Sequence, residues 1–210
     1  MTVEVLKTDG KKAGRSIELP DAFFGVEPND HAIYLAVKQF LANQRQGTHK
    51  AKEKSEVSGS TRKLHKQKGT GGSRKGSIKS PLFVGGGRVF GPRPRDYSFK
   101  LNKKVKDLAK RSALSYKAKD NGISVIEDFN LEDHKTKDFV QILKNLGLSE
   151  KKIIVVVNEA SDNIRMASRN VKKSQVAKVS DLNTYEILNA HALLFVESSL
   201  KQFEAADNKN

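Results

Sequence analysis

Apolar residues at the two ends of the chain recur at spacings typical of alternating strands and helices. Short apolar runs predict strands at 2–6, 15–19, 123–126, 152–157, 175–179 and 192–196. Apolar residues three or four positions apart predict helices that begin at residue 30, after Asn102, and at 135–146, 162–168 and 182–189. Strands separated by helices indicate an α/β fold, with a three-layer αβα body around a mostly parallel sheet.

Two of these segments carry a burial pattern of their own. The run from Ile153 to Val157 consists entirely of β-branched residues, which predicts a strand buried on both faces. In the helix from Asp30, helical spacing predicts one buried face, formed by Ile33, Ala36, Val37, Phe40 and Leu41.

The middle of the chain breaks the pattern. Residues 43–80 contain no aromatic residue, and their large aliphatic residues are Val57, Leu64 and Ile78. Residues 43–100 also hold ten of the 15 glycines and three of the five prolines. So few apolar side chains do not offset the entropy of folding a core. We therefore predict a body of residues 1–42 and 101–210, and an extended arm of residues 43–100 that orders only against a partner.

Charge separates the same two parts. Residues 43–100 hold 15 Lys or Arg and three acids, a net charge of +12 out of +15 for the whole chain. Such a concentration of positive charge predicts a polyanionic partner, with nucleic acid as the first candidate.

The centre of the arm is rich in glycine. If both ends of the arm are held at the body, its farthest point is near residues 71–72, within the cluster from Gly69 to Gly76. Glycine suits such a tip because it permits positive φ and a close approach of backbone to a ligand. We therefore predict the tip of the arm near residues 68–76.

Enzymatic motifs that combine with an α/β body do not fit this sequence. Gly71 to Gly76 has the spacing of a phosphate-binding loop, but Ser77 and Ile78 follow where Lys and Ser or Thr are needed. The five histidines have no metal-ligand spacing. We expect a protein that is not an enzyme and holds no cofactor or metal.

Cysteine usage and hydropathy point to a cellular compartment. The chain has no cysteine, no apolar run of about 20 residues, and no basic-then-apolar start. We expect a cytoplasmic protein without a membrane partner.

Lys and Arg at the density found in the arm neutralise phosphates and release counterions. Because the arm contains no regular helix to read a major groove, irregular folded RNA suits it better than duplex DNA. The predicted RNA-binding residues are Arg45, Lys50, Lys52, Lys54, Arg62, Lys63, Lys66, Lys68, Arg74, Lys75, Lys79, Arg88, Arg93 and Arg95. Phe83, Phe90, Tyr97 and Phe99 either stack on bases or anchor the arm on the body, and anchoring is favoured for Tyr97 and Phe99.

Four segments of the arm and one at the start of the body that follows it closely resemble, in order, the large-subunit ribosomal protein L-four family. They are 55–60 (Ser-Glu-Val-Ser-Gly-Ser), 67–71 (Gln-Lys-Gly-Thr-Gly), 76–81 (Gly-Ser-Ile-Lys-Ser-Pro), 85–97 (Gly-Gly-Gly-Arg-Val-Phe-Gly-Pro-Arg-Pro-Arg-Asp-Tyr) and 101–105 (Leu-Asn-Lys-Lys-Val). The α/β remainder fits the family over the whole chain, and the length resembles the bacterial form. Family members commonly have an aromatic–Arg pair before Gln67 and an Arg at position 72, where this chain has Leu64, His65, Lys66 and Gly72.

The resemblance implies a structural constituent of the large ribosomal subunit that binds rRNA and supports subunit assembly. It implies that the arm tip lines the nascent-peptide exit tunnel beside ribosomal protein L-twenty-two. The matching tip residues would be Lys68, Gly69, Thr70, Gly71, Gly72, Ser73, Arg74 and Lys75. The alternative function is that of a free-standing RNA-binding translational regulator, which would bind a structured mRNA with the same arm.

Overall fold

A computed structural model describes residues 1–131, 133–159 and 161–207, with the backbone alone described for 204–207. These residues form six strands and seven helices. In chain order they are β1 (Thr2–Leu6), β2 (Lys12–Glu18), α1 (Asp21–Phe24), α2 (Asp30–Asn43), α3 (Lys103–Lys119), β3 (Ile123–Ile126), α4 (Thr136–Asn145), β4 (Ile153–Val157), α5 (Asp162–Arg169), β5 (Ser174–Lys178), α6 (Thr184–Asn189), β6 (Ala192–Val196) and α7 (Glu197–Asp207).

The strands form one sheet in the order β2-β1-β3-β6-β4-β5. β1 and β2 pair antiparallel as a hairpin, whereas the other neighbours are parallel. The two central strands β4 and β6 are buried along their whole length. The prediction of a mostly parallel sheet with a β-branched strand buried on both faces is confirmed.

Alternate residues of the central strands enter two separate cores. Val156 and Phe195 pack in one core with α1, α3, α6 and α7, through side chains such as Leu114 and Ile187. Val155 and its even-numbered neighbours on β6 pack in the other core with α4 and α5. Because a strand alternates its side chains between faces, helices cover both sides of the sheet. The predicted three-layer αβα body is confirmed.

The buried face of α2 matches the prediction only in part. Ala32 and Ala36 pack against Ala109 of α3, whereas Leu41 is exposed. Ala36 belongs to the predicted face, whereas Ile33, Val37 and Phe40 of that face are half-buried. Phe40, for example, is half-buried and stacks on Tyr185 of α6 with ring centroids 4.8 Å apart.

The chain divides into two compact units, one formed by Met1–Phe40 with Lys100–Asn210 and the other by Leu41–Phe99. The sheet and the cores above belong to the first unit. Across the described ranges, none of the helices combines the length and the apolar character needed to cross a membrane.

Candidate nucleic-acid interface

Residues 45–102, all of which the structure describes, contain neither helix nor strand. The chain instead runs out and back, and hydrogen bonds join the two legs. Arg95 N donates to Gly47 O (3.2 Å), Ala51 N to Pro92 O (3.0 Å), Arg88 N to Lys52 O (2.9 Å) and Leu64 N to Gly76 O (3.2 Å). Each bonded pair is centred within residues 69–72, so the chain turns back in the glycine cluster.

Two glycines allow the legs to come this close. Gly47 has φ +65°, and a Cβ there would lie 2.0 Å from the carbonyl oxygen of Arg95. A Cβ at Gly87 would lie 2.3 Å from the backbone nitrogen of Lys54. Because any side chain at either position would overlap backbone atoms of the opposite leg, these contacts require glycine.

The fourteen predicted RNA-binding cations lie along both legs, and all but two are exposed. Lys75 and Lys79 are half-buried. The structure gathers some of these cations. Lys54, Arg88, Arg93 and Arg95 line one cleft of the second unit, and Lys63, Arg74 and Lys75 join Lys54 around a shallow depression of about 470 Å³. Arg62, Lys66 and Lys68 belong to neither cluster and are exposed individually near the turn.

Two acidic residues hold parts of the arm together by accepting hydrogen bonds. A count of charges along the sequence does not reveal this role. Glu53 accepts hydrogen bonds from the Arg93 guanidinium, with Nε 2.8 Å away, across the two legs. Glu56 accepts from Lys50 and from the backbone N of Glu53. The hydrogen bond from Lys50 is the main reason that the pKa of Glu56 is lowered from its ordinary value. The only sequence signal for this role is the rarity of acids in so basic a segment.

Asp96 has a different partner. Its carboxylate accepts hydrogen bonds from the backbone N (2.8 Å) and hydroxyl (2.7 Å) of Ser98, and these bonds lower the pKa of Asp96. Both bonds are local, as in a turn closed by an aspartate side chain. Asp96 therefore shapes the return leg while remaining ionised.

The aromatic residues of the arm fall into two kinds. Tyr97 is half-buried, with the guanidinium carbons of Arg45 and Arg95 at 3.8 and 4.5 Å from its ring centroid, and its hydroxyl lies 3.2 Å from His49 Nε2. Its π-surface is therefore already engaged within the second unit. Phe83 is also half-buried, near Lys75, whereas Phe90 is fully exposed. Anchoring of Tyr97 and Phe99 on the body stays a prediction.

The histidines contribute structural contacts where their contacts are described. His191 Nδ1 accepts a hydrogen bond from the backbone N of Lys152 (3.1 Å) beside β6, and His31 stacks on Tyr34. Among the described residues, no three His, Cys, Asp or Glu side chains come together in a way that could hold a metal ion. The arrangement thus offers cations, backbone amides and one open aromatic ring, which are groups that bind phosphates and bases.

Comparisons with known proteins identify the family of the chain. The model of the Ribosomal protein L4/L1 family matches residues 17–206. The chain is 59% identical over 204 residues to the large ribosomal subunit protein uL4 of Bacteroides fragilis, covering 97% of this chain and 98% of the relative. It is 55% identical over 208 residues to the uL4 protein of Cytophaga hutchinsonii, covering 99% of this chain and 100% of the relative. With a family match and such identity over nearly its whole length, the chain belongs to the Ribosomal protein L4/L1 family.

Proposed function

We propose that the chain is a structural constituent of the large ribosomal subunit, that its arm binds rRNA and supports assembly, and that it is not an enzyme. The observation that carries the proposal is the net charge of +12 in residues 43–100, held on side chains that are nearly all exposed. Family membership supports the large subunit as the place where this charge acts. The cations offset phosphate repulsion where rRNA segments converge, and the α/β body provides the rigid anchor.

The body and the arm have different roles in this proposal, and the cations of the arm differ in their partners. We assign residues 1–42 and 101–210 to the body and 43–100 to the rRNA-binding arm. Two of the fourteen cations, Lys50 and Arg93, are ion-paired with acids of the arm, whereas the other twelve form no ion pair in the portion of the chain that the structure describes. Those twelve are accordingly the stronger candidates for phosphate contacts.

A charge-removal experiment tests rRNA binding. Replacing Lys63, Lys66, Lys68 and Arg74 together by Gln should lower the slope of log affinity against log salt by about 3, since each phosphate contact contributes about 0.7–0.9. The control replaces four exposed lysines of the first unit, namely Lys7, Lys11, Lys137 and Lys172, so that the same charge is lost. Equal losses of slope in the two variants would contradict an arm-centred interface.

Sedimentation tests the ribosomal role. Tagged full-length chain should travel with large subunits and polysomes in a sucrose gradient and resist a high-salt wash. A chain lacking residues 46–97 should be lost from these fractions or should yield unstable particles. Full-length chain that stays at the top of the gradient would reject the ribosomal role and favour the free-standing RNA-binding regulator.

We further propose that the tip, Lys68–Lys75, lines the exit tunnel next to ribosomal protein L-twenty-two. Support comes from the motif match and from the exposure of nearly all of these residues. The chain has no cysteine, and open space surrounds Gly72, so Gly72→Cys introduces a unique thiol at the tip. That thiol should cross-link to a stalled nascent chain, whereas Ser180→Cys on the first unit should not. Equal cross-linking from both positions, or none from either, would argue against the tunnel position.

A further inference from the structure

The second unit contains a half-enclosed cleft of about 840 Å³ between its two legs. The outgoing leg contributes His49, Glu53 and Lys54, and the return leg contributes residues 88–95 and Tyr97. Binding sites for single small ligands commonly have volumes of roughly 300–1,000 Å³. The cleft is therefore large enough for one nucleotide.

Phe90 lines this cleft in an unusual conformation. Its φ is +50°, and its relative exposure is 103%. The left-handed region costs a residue with a Cβ about 1–2 kcal/mol, and an exposed aromatic ring gains nothing from burial. Cross-leg hydrogen bonds, from Arg88 N to Lys52 O and from Ala51 N to Pro92 O, fix the backbone on both sides of Phe90. Strained residues held in this way cluster at ligand clamps.

The open groups of the cleft combine one aromatic ring with cations. Tyr97 already contacts two guanidinium groups, and Arg93 is paired with Glu53. Within the described chain, the ring of Phe90 has no aromatic or cationic partner, and Arg88 and Lys54 form no ion pair. An acidic peptide would use these cations but would leave the ring in water. A nucleotide matches both, because it carries a flat π-surface next to a phosphate.

We propose that this cleft binds one unpaired, unstacked nucleotide of folded RNA. The base stacks on Phe90, and the adjoining phosphates contact Arg88 and Lys54. This inference rests on the proposed function, since it specifies one contact within an RNA-binding arm. It adds that the arm distinguishes a bulged or looped nucleotide from a continuous duplex, whereas cations alone bind both.

The test compares two RNA duplexes that differ by one bulged 2-aminopurine, a fluorescent base whose emission is quenched by stacking. The full chain should bind the bulged duplex about tenfold more tightly than the uninterrupted one, as expected for one base–aromatic stack. It should also quench the emission. Phe90→Ala should abolish the preference and leave the affinity for the uninterrupted duplex within about twofold. Phe90→Tyr should keep the preference because the π-face remains.

Leu82→Ala is the matched control, because Leu82 is an exposed apolar residue of the same arm that does not line the cleft. It should retain the preference for the bulge. A wild-type chain without the preference for the bulge, or a Phe90→Ala chain that keeps it, overturns the inference. If the wild-type chain still binds the duplex in a salt-dependent way, the proposed function is not affected by that result. Failure of the wild-type chain to bind either RNA overturns both.

Discussion

Replacing Gly47 by Ala should open the base of the arm. The substitution forces a residue with a Cβ into φ +65° and drives that Cβ to 2.0 Å from the carbonyl oxygen of Arg95. A separation of about 3 Å is the least that real Cβ contacts show, so the opposite leg must move and the 3.2 Å bond from Arg95 N to Gly47 O breaks.

The magnitude follows from these two effects. The left-handed conformation costs about 1–2 kcal/mol, and the lost hydrogen bond about 1 kcal/mol. The free energy of local opening should therefore fall by about 2–3 kcal/mol, which corresponds to a roughly 30- to 150-fold loss of hydrogen-exchange protection at the Arg95 amide. The global stability of the first unit should be unaffected, because Gly47 belongs to the second unit.

Alanine substitutions at three other glycines of the arm distinguish the cost of a positive φ from the cost of steric overlap. Gly69 has φ +82° with open space around it, whereas Gly87 lacks positive φ but has backbone within 2.3 Å of its would-be Cβ. Gly72 has neither constraint. Gly72→Ala should leave hydrogen-exchange protection unchanged, and Gly69→Ala should lower it only at the turn. Gly87→Ala should break the hydrogen bonds between the two legs through steric overlap alone.

The assay is hydrogen exchange on the purified full chain without RNA, followed at individual amides. Full retention of protection at Arg95 in the Gly47→Ala chain would refute the reasoning. So would exchange at Arg95 in the wild-type chain as fast as in an unstructured peptide. That second result would instead support the sequence-based expectation that the arm orders only against a partner.

Three further predictions concern both units. Phe195→Ala should lower the free energy of unfolding by about 3–5 kcal/mol in urea titrations, because its ring is fully buried and meets two other aromatic rings edge-on. Met166→Ala, at an exposed position of α5, should change it by less than about 1 kcal/mol. Asn183→Ala should cost about 1 kcal/mol, since the Asn183 side chain accepts a hydrogen bond from the first turn of α6. The folded-state pKa of Glu56 is lowered, so its contribution to arm order is present at neutral pH and lost as pH falls through that pKa. Hydrogen-exchange protection of the arm should therefore show an acid-dependent step, a loss of protection as Glu56 becomes protonated. Glu56→Gln should remove this step.

These predictions have their own controls and contrary outcomes. Lys135→Ala is the control for the cap, because Lys135 occupies the same position before α4 but makes no side-chain hydrogen bond to the helix. Its side chain instead forms an exposed ion pair with Asp133, and such pairs contribute little to stability. Equal losses at 135 and 183 would show that the cap bond contributes nothing measurable. An acid-dependent step that survives Glu56→Gln would assign it to another carboxylate of the arm.

Sequence patterns predicted those features of the fold that depend on the residues of a single strand or helix. The β-branched run of β4 and the apolar run of β6 identify buried strands because both faces of each strand need apolar residues. The buried face of α2 was predicted only in part: Ala36 is buried as expected, but Ala32 is buried as well and Leu41 is exposed. Apolar spacing favours large residues and gave no signal for Ala32. The helix α7, which follows β6 without a break, gave no turn signal and was missed.

The candidate interface was predictable in composition but not in geometry. Counting charges identifies the arm and its cations. It does not identify the cross-leg pairing of Glu53 with Arg93, because these residues are 40 positions apart. Nor does it show that Tyr97 is engaged while Phe90 is open, since both are aromatic residues in the same glycine- and proline-rich segment. Those distinctions depend on which leg atoms face each other, and that depends on the register of the hairpin.

The strand order has a consequence for the synthesis of the chain. β6 follows the other strands in sequence, yet it lies between β3 and β4. Until β6 emerges, the sheet exists only as two separate halves whose inner edges expose unpaired backbone groups. At about 5–20 residues per second, the 70 residues from the end of β3 to the end of β6 take roughly 4–14 seconds to translate. The basic arm is synthesised before this interval begins, so it is available to polyanions before its own body can close.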